Sequence, residues 1–465
     1  MNHADWSALR RSIAGTVVLP EDAGYDEARA LQIVAYDTIR PRAVVRCASA
    51  DDVRESVLFA RAAALPVAVR GGGHSLAGYS TGPGLVIDVR GLAEIEFTDG
   101  LVEVGSGVDN FGLHSALRDR GITIPTGLCP SVGIAGLTMG GGVGLWTRKY
   151  GLTCDRLRAA SLVLADGTVV DCDGDRHPDL FWALRGGGGG NFGVVTALTF
   201  EPVPSSEITS YLLTWPWASA ARVLDAWQRL LAEAPDELTS TLRVAREDAD
   251  EGGAVQVGGG WLGADTDLLP WLRQLTALAG TEPASSMIQT NSHWHTVAAM
   301  FGVAEADAPD PTSPIWPRDG YVLTQGHFVE RPLPADEITR LLAHFDDHRP
   351  PGQIRALELG AMGGACNRID HAATAFPHRN TLFFGGFTAE GATAATAEVR
   401  TAAQHWTETG RTILRQSSSG GSYINSPDPT LPNWRQAYYG DNYERLAEIR
   451  RTYDPTYFFT FPQGI

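Results

Sequence analysis

The chain has 465 residues, 43% of them hydrophobic and 20% charged, as in an ordinary globular protein, and its length predicts two or three domains. A formal net charge of −17 argues against a nucleic-acid or anionic-membrane partner, since both need a basic face. The five cysteines (Cys47, Cys129, Cys154, Cys172 and Cys366) are scattered and form no CxxC pair, so neither a disulfide framework nor a metal site is expected. The N-terminus has no long apolar run after a basic start, and no stretch approaches the roughly 18 apolar residues of a membrane span. The location expected on these grounds is the cytoplasm.

In chain order, "PRAVVRCAS" (41–49) reads as a strand and "ADDVRESVLFARAAAL" (50–65) as a helix behind a polar cap. "PVAVR" (66–70) is a second strand, and it runs into "GGGHS". "GLVIDVRGL" and "LVEVGSGV" alternate as strands, and "NFGLHSALRDRG" reads as a helix stopped by Gly121. Two more glycine-rich zones follow, at 127–157 and 181–204, the second ending in the apparent strand "FGVVTALTFEPV".

After about residue 205 the texture changes. Amphipathic helices at 217–234, 265–280 and 393–410 alternate with "LTSTLRVA", "GAVQVGGGWLG", "PPGQIRALELGAMGGACNRI" and "TLFFGGFTAE". This predicts a second domain, a sheet with helices on one side. The tail "NYERLAEIRRTYDPTYFFTFPQGI" is a helix, a proline stop and a short terminal segment.

Glycine loops let backbone N–H groups converge on an anion, because no Cβ blocks the approach. No GxxxxGK[ST] pattern follows them, which disfavours a P-loop NTPase, and no Rossmann unit opens the chain. Taken singly, each run reads as a tight turn. Three runs beside strands in one half of the chain point to extended contact with a long anionic ligand. By itself His74 reads as a structural or surface histidine, and Cys129 as a small loop residue. His293 and His295 in "SHWH" have no Cys or carboxylate nearby to complete a metal set. Trp215, Trp217, Trp294 and Trp316 are equally readable as sugar-stacking or core residues.

The ordered set "RGGGHS", "TGLCPSVGIAGLTMGGGVG", "RKYGLTCD", "FWALRGGGGGNFGVVT" and "YYGDNYERL…YDPTYFFTFPQ" resembles the berberine-bridge-enzyme-like flavin oxidases of the vanillyl-alcohol-oxidase, or PCMH-type, FAD superfamily. The resemblance spans about residues 37 to 465. It implies an α+β fold, with a two-lobed PCMH-type FAD-binding domain over 1–205 and a substrate domain over 206–415. The latter would be an antiparallel sheet covered by helices. A C-terminal berberine-bridge-like segment, 416–465, would return to the FAD domain.

His74 matches the histidine that the family attaches to the flavin 8-methyl group, and Cys129 the cysteine that a subset attaches to flavin C6. FAD held by two covalent bonds is therefore implied. The resemblance also assigns Arg70, Gly71, Gly72, Gly73, Ser75, Gly78, Gly133, Gly136, Gly140, Gly141, Gly144, Gly193, Val195 and Tyr457 to cofactor contact. A tail tyrosine is implied as proton acceptor: Tyr438 or Tyr439 matches that position, and Tyr423 in "SYINS" is a further candidate. One departure stands out. Where relatives often carry Tyr or Gln in the strand after "FPHR", this chain has Phe383, Phe384 and glycines.

The function implied is an oxidase that removes hydride from an alcohol or hemiacetal carbon of a sugar, oligosaccharide or glycosylated secondary metabolite. Molecular oxygen would be the acceptor. A flavin dehydrogenase, an oxidative cyclase and a non-catalytic metabolite-binding protein remain as alternatives. The oligomeric state is open.

Overall fold

Strands β1 (Thr16–Val18), β2 (Ala43–Arg46), β3 (Val67–Arg70) and β4 (Leu85–Asp88) form a sheet in the order β1-β2-β4-β3. β4 runs parallel to both β2 and β3. The crossover from β2 to β3 is the helix Ala50–Ala62, whose N-cap Ser49 accepts from the Asp52 N–H. It buries Val53, Val57 and Ala60, spaced by four and three residues, against the sheet. The computed structural model describes residues 5–246, 252–303, 318, 320–347, 350, 353–391 and 395–465.

The second sheet contains β5 (Ile95–Thr98) and β6 (Leu101–Gly105), then, after the short β7 (Ile122–Thr123), β8 (Leu157–Val163), β9 (Val169–Asp173) and β10 (Val194–Phe200). Its order is β5-β6-β10-β8-β9, all antiparallel, while β7 pairs with β11 (Val203–Pro204). Both faces are buried. Val163 and Val194 join the core under the first sheet, and Leu162 and Val195 the core on the other side. The C-terminal segment completes that second core: Ala437, Tyr438, Tyr439, Leu446, Ile449 and Ile465 pack with Val102, Leu162 and Phe200.

The third sheet is antiparallel and has seven strands: β12 (Ile208–Pro216), β13 (Leu238–Arg246), β14 (Ala254–Leu262), β15 (Ser285–Asn291), β16 (Tyr321–Val329), β17 (Gln353–Ala361) and β18 (Phe383–Gly391). The order is β15-β12-β14-β13-β17-β18-β16. One face carries Leu242, Val244, Val255, Val257, Leu357 and Leu359 into a core with the helices Ala220–Glu233, Asp265–Ala279, Ala335–Ala343 and Ala397–Leu414. The other face is half-exposed and carries small or polar residues such as Thr241, Gln256, Gly258 and Gly360. Period-two alternation produces this split. Strands β15 and β16 carry no such signal: nearly all of β15 is exposed, and β16 is interrupted by Gly326 and His327. Pairing along β12 and β18 defines them, not their own residue pattern.

No helix among the described residues is long and apolar enough to cross a membrane. The lobes meet through buried polar contacts. Arg379 and Asp155, almost wholly buried, pair at 2.7 and 2.8 Å. Arg148 donates to the Met362 carbonyl at 2.5 Å and the Ala234 carbonyl at 2.7 Å. The lone lysine, Lys149, reaches Glu237 at 2.5 Å.

One contact decides where the two candidate tether loops lie. A Cβ on Gly72 would sit 2.3 Å from the Gly133 nitrogen and 2.5 Å from the Ser131 carbonyl oxygen, and a Cβ on Gly133 would sit 2.4 Å from the Gly72 nitrogen. The loops therefore touch backbone to backbone. Gly133→Ala is expected to force them apart, lowering the melting temperature by several degrees and weakening flavin retention. Wild-type melting and retention in that variant would show that the contact is dispensable.

Burial pushes four histidines down: His114 and His378 to about 3, His293 and His327 to about 4. They are neutral in the folded chain, whereas the unfolded chain protonates near the ordinary value. Their contribution is complete above about pH 6.5 and is lost as the pH falls toward 4, by about 1.4 kcal/mol per unit of depression. Urea melts at pH 7.5 and 4.5 are expected to show a marked loss of stability, reduced in His293→Gln. Equal stability at the two pH values would contradict it.

Candidate functional site

A cavity of about 410 Å³ runs through the FAD-side lobe between the glycine loops and the C-terminal segment. Its walls come from the end of β3 and the loop after it (Gly71, Gly72, Gly73, His74, Ser75), from 127–139, from Gly188–Gly190, and from the tail. Among the described residues, no Arg or Lys lines it. An anion there would be held by backbone N–H groups and by lining hydroxyls such as those of Ser75 and Ser80. Gly73, Gly188 and Gly190 have φ of +72°, +84° and +76°, values that other residues rarely adopt. The bare, N–H-rich loops and the elongated apolar chamber beyond them fit a dinucleotide carrying a flat ring system.

His74 and Cys129 both line this cavity. The His74 ring is half-buried, and its Nε2 lies 2.7 Å from the Ser131 hydroxyl oxygen. None of the five cysteines is in a disulfide. Four are buried; burial pushes the thiols of Cys47 and Cys172 up to about 12 and that of Cys366 to about 11, and raises that of Cys154 well above its ordinary value. Cys129 alone is exposed, so it is the thiol positioned to react.

Of the three tyrosines, Tyr423 and Tyr438 line the cavity. Tyr439 is fully buried and donates to the Gly187 carbonyl at 3.1 Å, behind the wall. Tyr438 lies among tail and FAD-loop residues. Its hydroxyl accepts from the Asp428 N–H at 2.8 Å and meets Gln463 Oε1 at 3.3 Å. Tyr423 stands at the seam with the third sheet, its ring 5.3 Å from that of Phe384 on β18. Three donors converge on its hydroxyl at 3.0 Å: the Gly142 N–H, the Val143 N–H and the Asn425 side-chain amide. Burial outweighs the three donors, which pull the other way, and leaves this hydroxyl raised to about 12.

Among the expected cofactor residues, Gly133, Gly136, Gly193 and Val195 also line the cavity. Others lie behind it, for identifiable reasons. Arg70 is buried and pairs with Asp88 at 2.9 Å, with its guanidinium also on the Ala28 carbonyl. Gly78 turns at φ +73° against the Tyr36 ring. Gly140 faces the Asn425 amide, Gly141 the Phe376 ring, and Gly144 the Thr126 carbonyl. Tyr457 is 48% exposed on the surface, under the Arg450 guanidinium.

Trp215, Trp217 and Trp294 are not among the residues that line the cavity either. Trp215 is core, Trp217 packs on Phe345, Trp294 packs on Phe111, and Trp316 lies outside the described residues. His293 is buried beside His114, while His295 is exposed. Phe383 is buried in the helix-side core and Phe384 packs against Tyr423, so neither offers a polar partner to a base. Sequence reasoning did not single out Ser131, Asn425, Tyr79 or Gln463. The first lies inside the quoted "GLCPSVGIAG" and the last in "FFTFPQGI", so proximity to motifs was the only signal.

Comparison with known proteins agrees with this geometry. Residues 41–173 match the FAD binding domain family, and residues 422–465 match the family described as berberine and berberine like. The chain is 32% identical to an uncharacterized FAD-linked oxidoreductase, YgaK, of Bacillus subtilis, with 98% of each chain covered. It is 30% identical to (R)-6-hydroxynicotine oxidase of Paenarthrobacter nicotinovorans, over 96% of this chain and 95% of that one. The solved structure of Physcomitrella patens BBE-like 1 superposes with a TM-score of 0.89 at 26% identity, covering 99% of this chain and 98% of the other. The chain belongs to the berberine-bridge-enzyme-like FAD-linked oxidoreductases, with the PCMH-type FAD-binding fold.

Proposed function

We propose that the protein is an oxidase that withdraws hydride from an alcohol or hemiacetal carbon of a sugar, an oligosaccharide or a glycosylated secondary metabolite, with FAD attached through His74 and Cys129. The observation that carries this reading is the placement of His74, the exposed thiol of Cys129 and Tyr423 on the walls of one glycine-lined cavity. When bound, FAD supplies the two-electron acceptor that takes hydride from carbon and returns the electrons to oxygen as hydrogen peroxide. The glycine loops would hold the pyrophosphate, and the two tethers would fix the ring in the chamber beyond them.

Tyr423 is the proton acceptor in this reading. Burial holds this hydroxyl above its ordinary range, and the three donors oppose that, so they are the groups that favour the phenolate a proton acceptor must be. The Gly142 and Val143 N–H groups and the Asn425 amide provide that set. Tyr438, tied to Asp428 and Gln463, lines the cofactor.

A second reading has its own support. Phe384 and the glycines beside it give a base no polar partner on the strand, and oxidation at a carbon next to an unprotonated amine needs no strong base. The likeness to (R)-6-hydroxynicotine oxidase points the same way. An amine substrate is therefore the competing class.

The test is a peroxide assay across sugars, glycosides and cyclic amines, with acid denaturation of the holoprotein alongside. Peroxide from a carbohydrate and yellow colour retained by the precipitate are expected. Slow reoxidation of the reduced protein by air would remove the oxidase reading, and complete release of flavin into the supernatant would remove the tethers.

Tyr423→Phe is expected to lower kcat by about two orders of magnitude while leaving flavin content unchanged. Tyr438→Phe is expected to reduce flavin retention more than kcat. The opposite pattern, measured by steady-state kinetics and flavin content, would exchange the two roles.

A further inference from the structure

The loop that carries Cys129 also carries Ser131, whose hydroxyl lies 2.7 Å from His74 Nε2. Ser131 is held from both sides. In front, the Gly72 backbone presses on its carbonyl and on the Gly133 nitrogen. Behind, the start of the helix Asn110–Leu117 grips the same loop. The Asn110 N–H donates to the Val132 carbonyl at 3.0 Å, and the Phe111 N–H to the Pro130 carbonyl at 2.9 Å. The buried Asn110 side chain donates to the Cys129 carbonyl at 2.9 Å. These contacts fix the loop backbone on either side of Ser131, and from that backbone its hydroxyl meets the His74 ring.

We infer that Ser131 is a positioning residue for covalent attachment at His74. The inference rests on the proposed His74 tether. Because one loop supplies both Cys129 and Ser131, it provides one attachment and orients the other. When the Ser131 oxygen accepts from Nε2–H, the ring lone pair lies on Nδ1, and the ring plane is set before the cofactor arrives. Attachment forms one bond between a ring nitrogen and the 8-methyl carbon. One C–H bond and one ring N–H bond break, both protons pass to solvent, and the two electrons leave to molecular oxygen. Ser131 holds the nitrogen that bears the departing proton. It touches neither the carbon that is bonded nor the substrate.

The experiment compares purified wild type, Ser131→Ala, Ser131→Thr, Cys129→Ala and the double variant Cys129→Ala/Ser131→Ala. The readout is the fraction of the His74-bearing and Cys129-bearing peptides that carry flavin mass after denaturation and digestion. Total flavin and melting temperature of the holoproteins report folding. Ser131→Ala is expected to lower the flavin fraction on His74 about tenfold while leaving Cys129 modified. The double variant should then release most of its flavin on denaturation, and Ser131→Thr should restore attachment. Full flavin occupancy on His74 in Ser131→Ala, with or without Cys129, overturns the inference. A wild-type His74 peptide without flavin overturns the tether reading itself, and this inference with it.

Discussion

The contact between Gly72 and Gly133 is the constraint on which the site depends. Two glycines from loops far apart in the chain meet backbone to backbone, with no space for a Cβ on either. Each loop carries one candidate tether a few residues away, His74 on one and Cys129 on the other. A tricyclic flavin ring could be bonded at two points only if those points were held at one spacing. The glycine contact supplies that spacing without side chains, and the His74–Ser131 hydrogen bond adds orientation. Even a small side chain at either glycine would push the two loops, and the candidate tethers they carry, apart.

Among the described residues, the cavity formed in this way is lined without Arg or Lys. Arg70, the nearest arginine in sequence to the glycine loop, is spent on Asp88 beneath the first sheet. Its burial ties the ends of β3 and β4 together at the point where the loop departs, so it shapes the cradle from below. The lobes are joined by a different set of buried charges. Removing one partner of a pair such as Arg379–Asp155 would leave an uncompensated ion inside, which typically costs about 3–5 kcal/mol. Tyr423 stands at this seam, lining the cavity on one side and packing against Phe384 of β18 on the other.

Much of the architecture was legible. The helix 50–62 and the strands β2, β3, β13, β14 and β17 carry periodic apolar patterns that their cores require. β15 and β16 were not legible, because edge pairing sets their conformation and no buried stripe marks them. At the site, His74 and Cys129 could be found from the motifs around them. The tyrosines could not be ranked. Tyr438 and Tyr439 are neighbours in one short helix and point to different sides of the wall.

By itself, the sequence determined the family and with it the cofactor class, because the ordered glycine, histidine and cysteine motifs are written locally in residue type and their combination carries the resemblance. Only the tertiary structure decided which residues around those motifs face inward. Arg70, Gly141 and Tyr439 carry the right chemistry at the right place in the chain, yet each is turned into packing or an ion pair by elements distant in sequence. The hydroxyl of Tyr423 acquires its three donors from residues on two separate segments, Gly142 and Val143 on one and Asn425 on the other. No local pattern encodes that convergence, because it exists only once the C-terminal segment has folded back onto the first lobe.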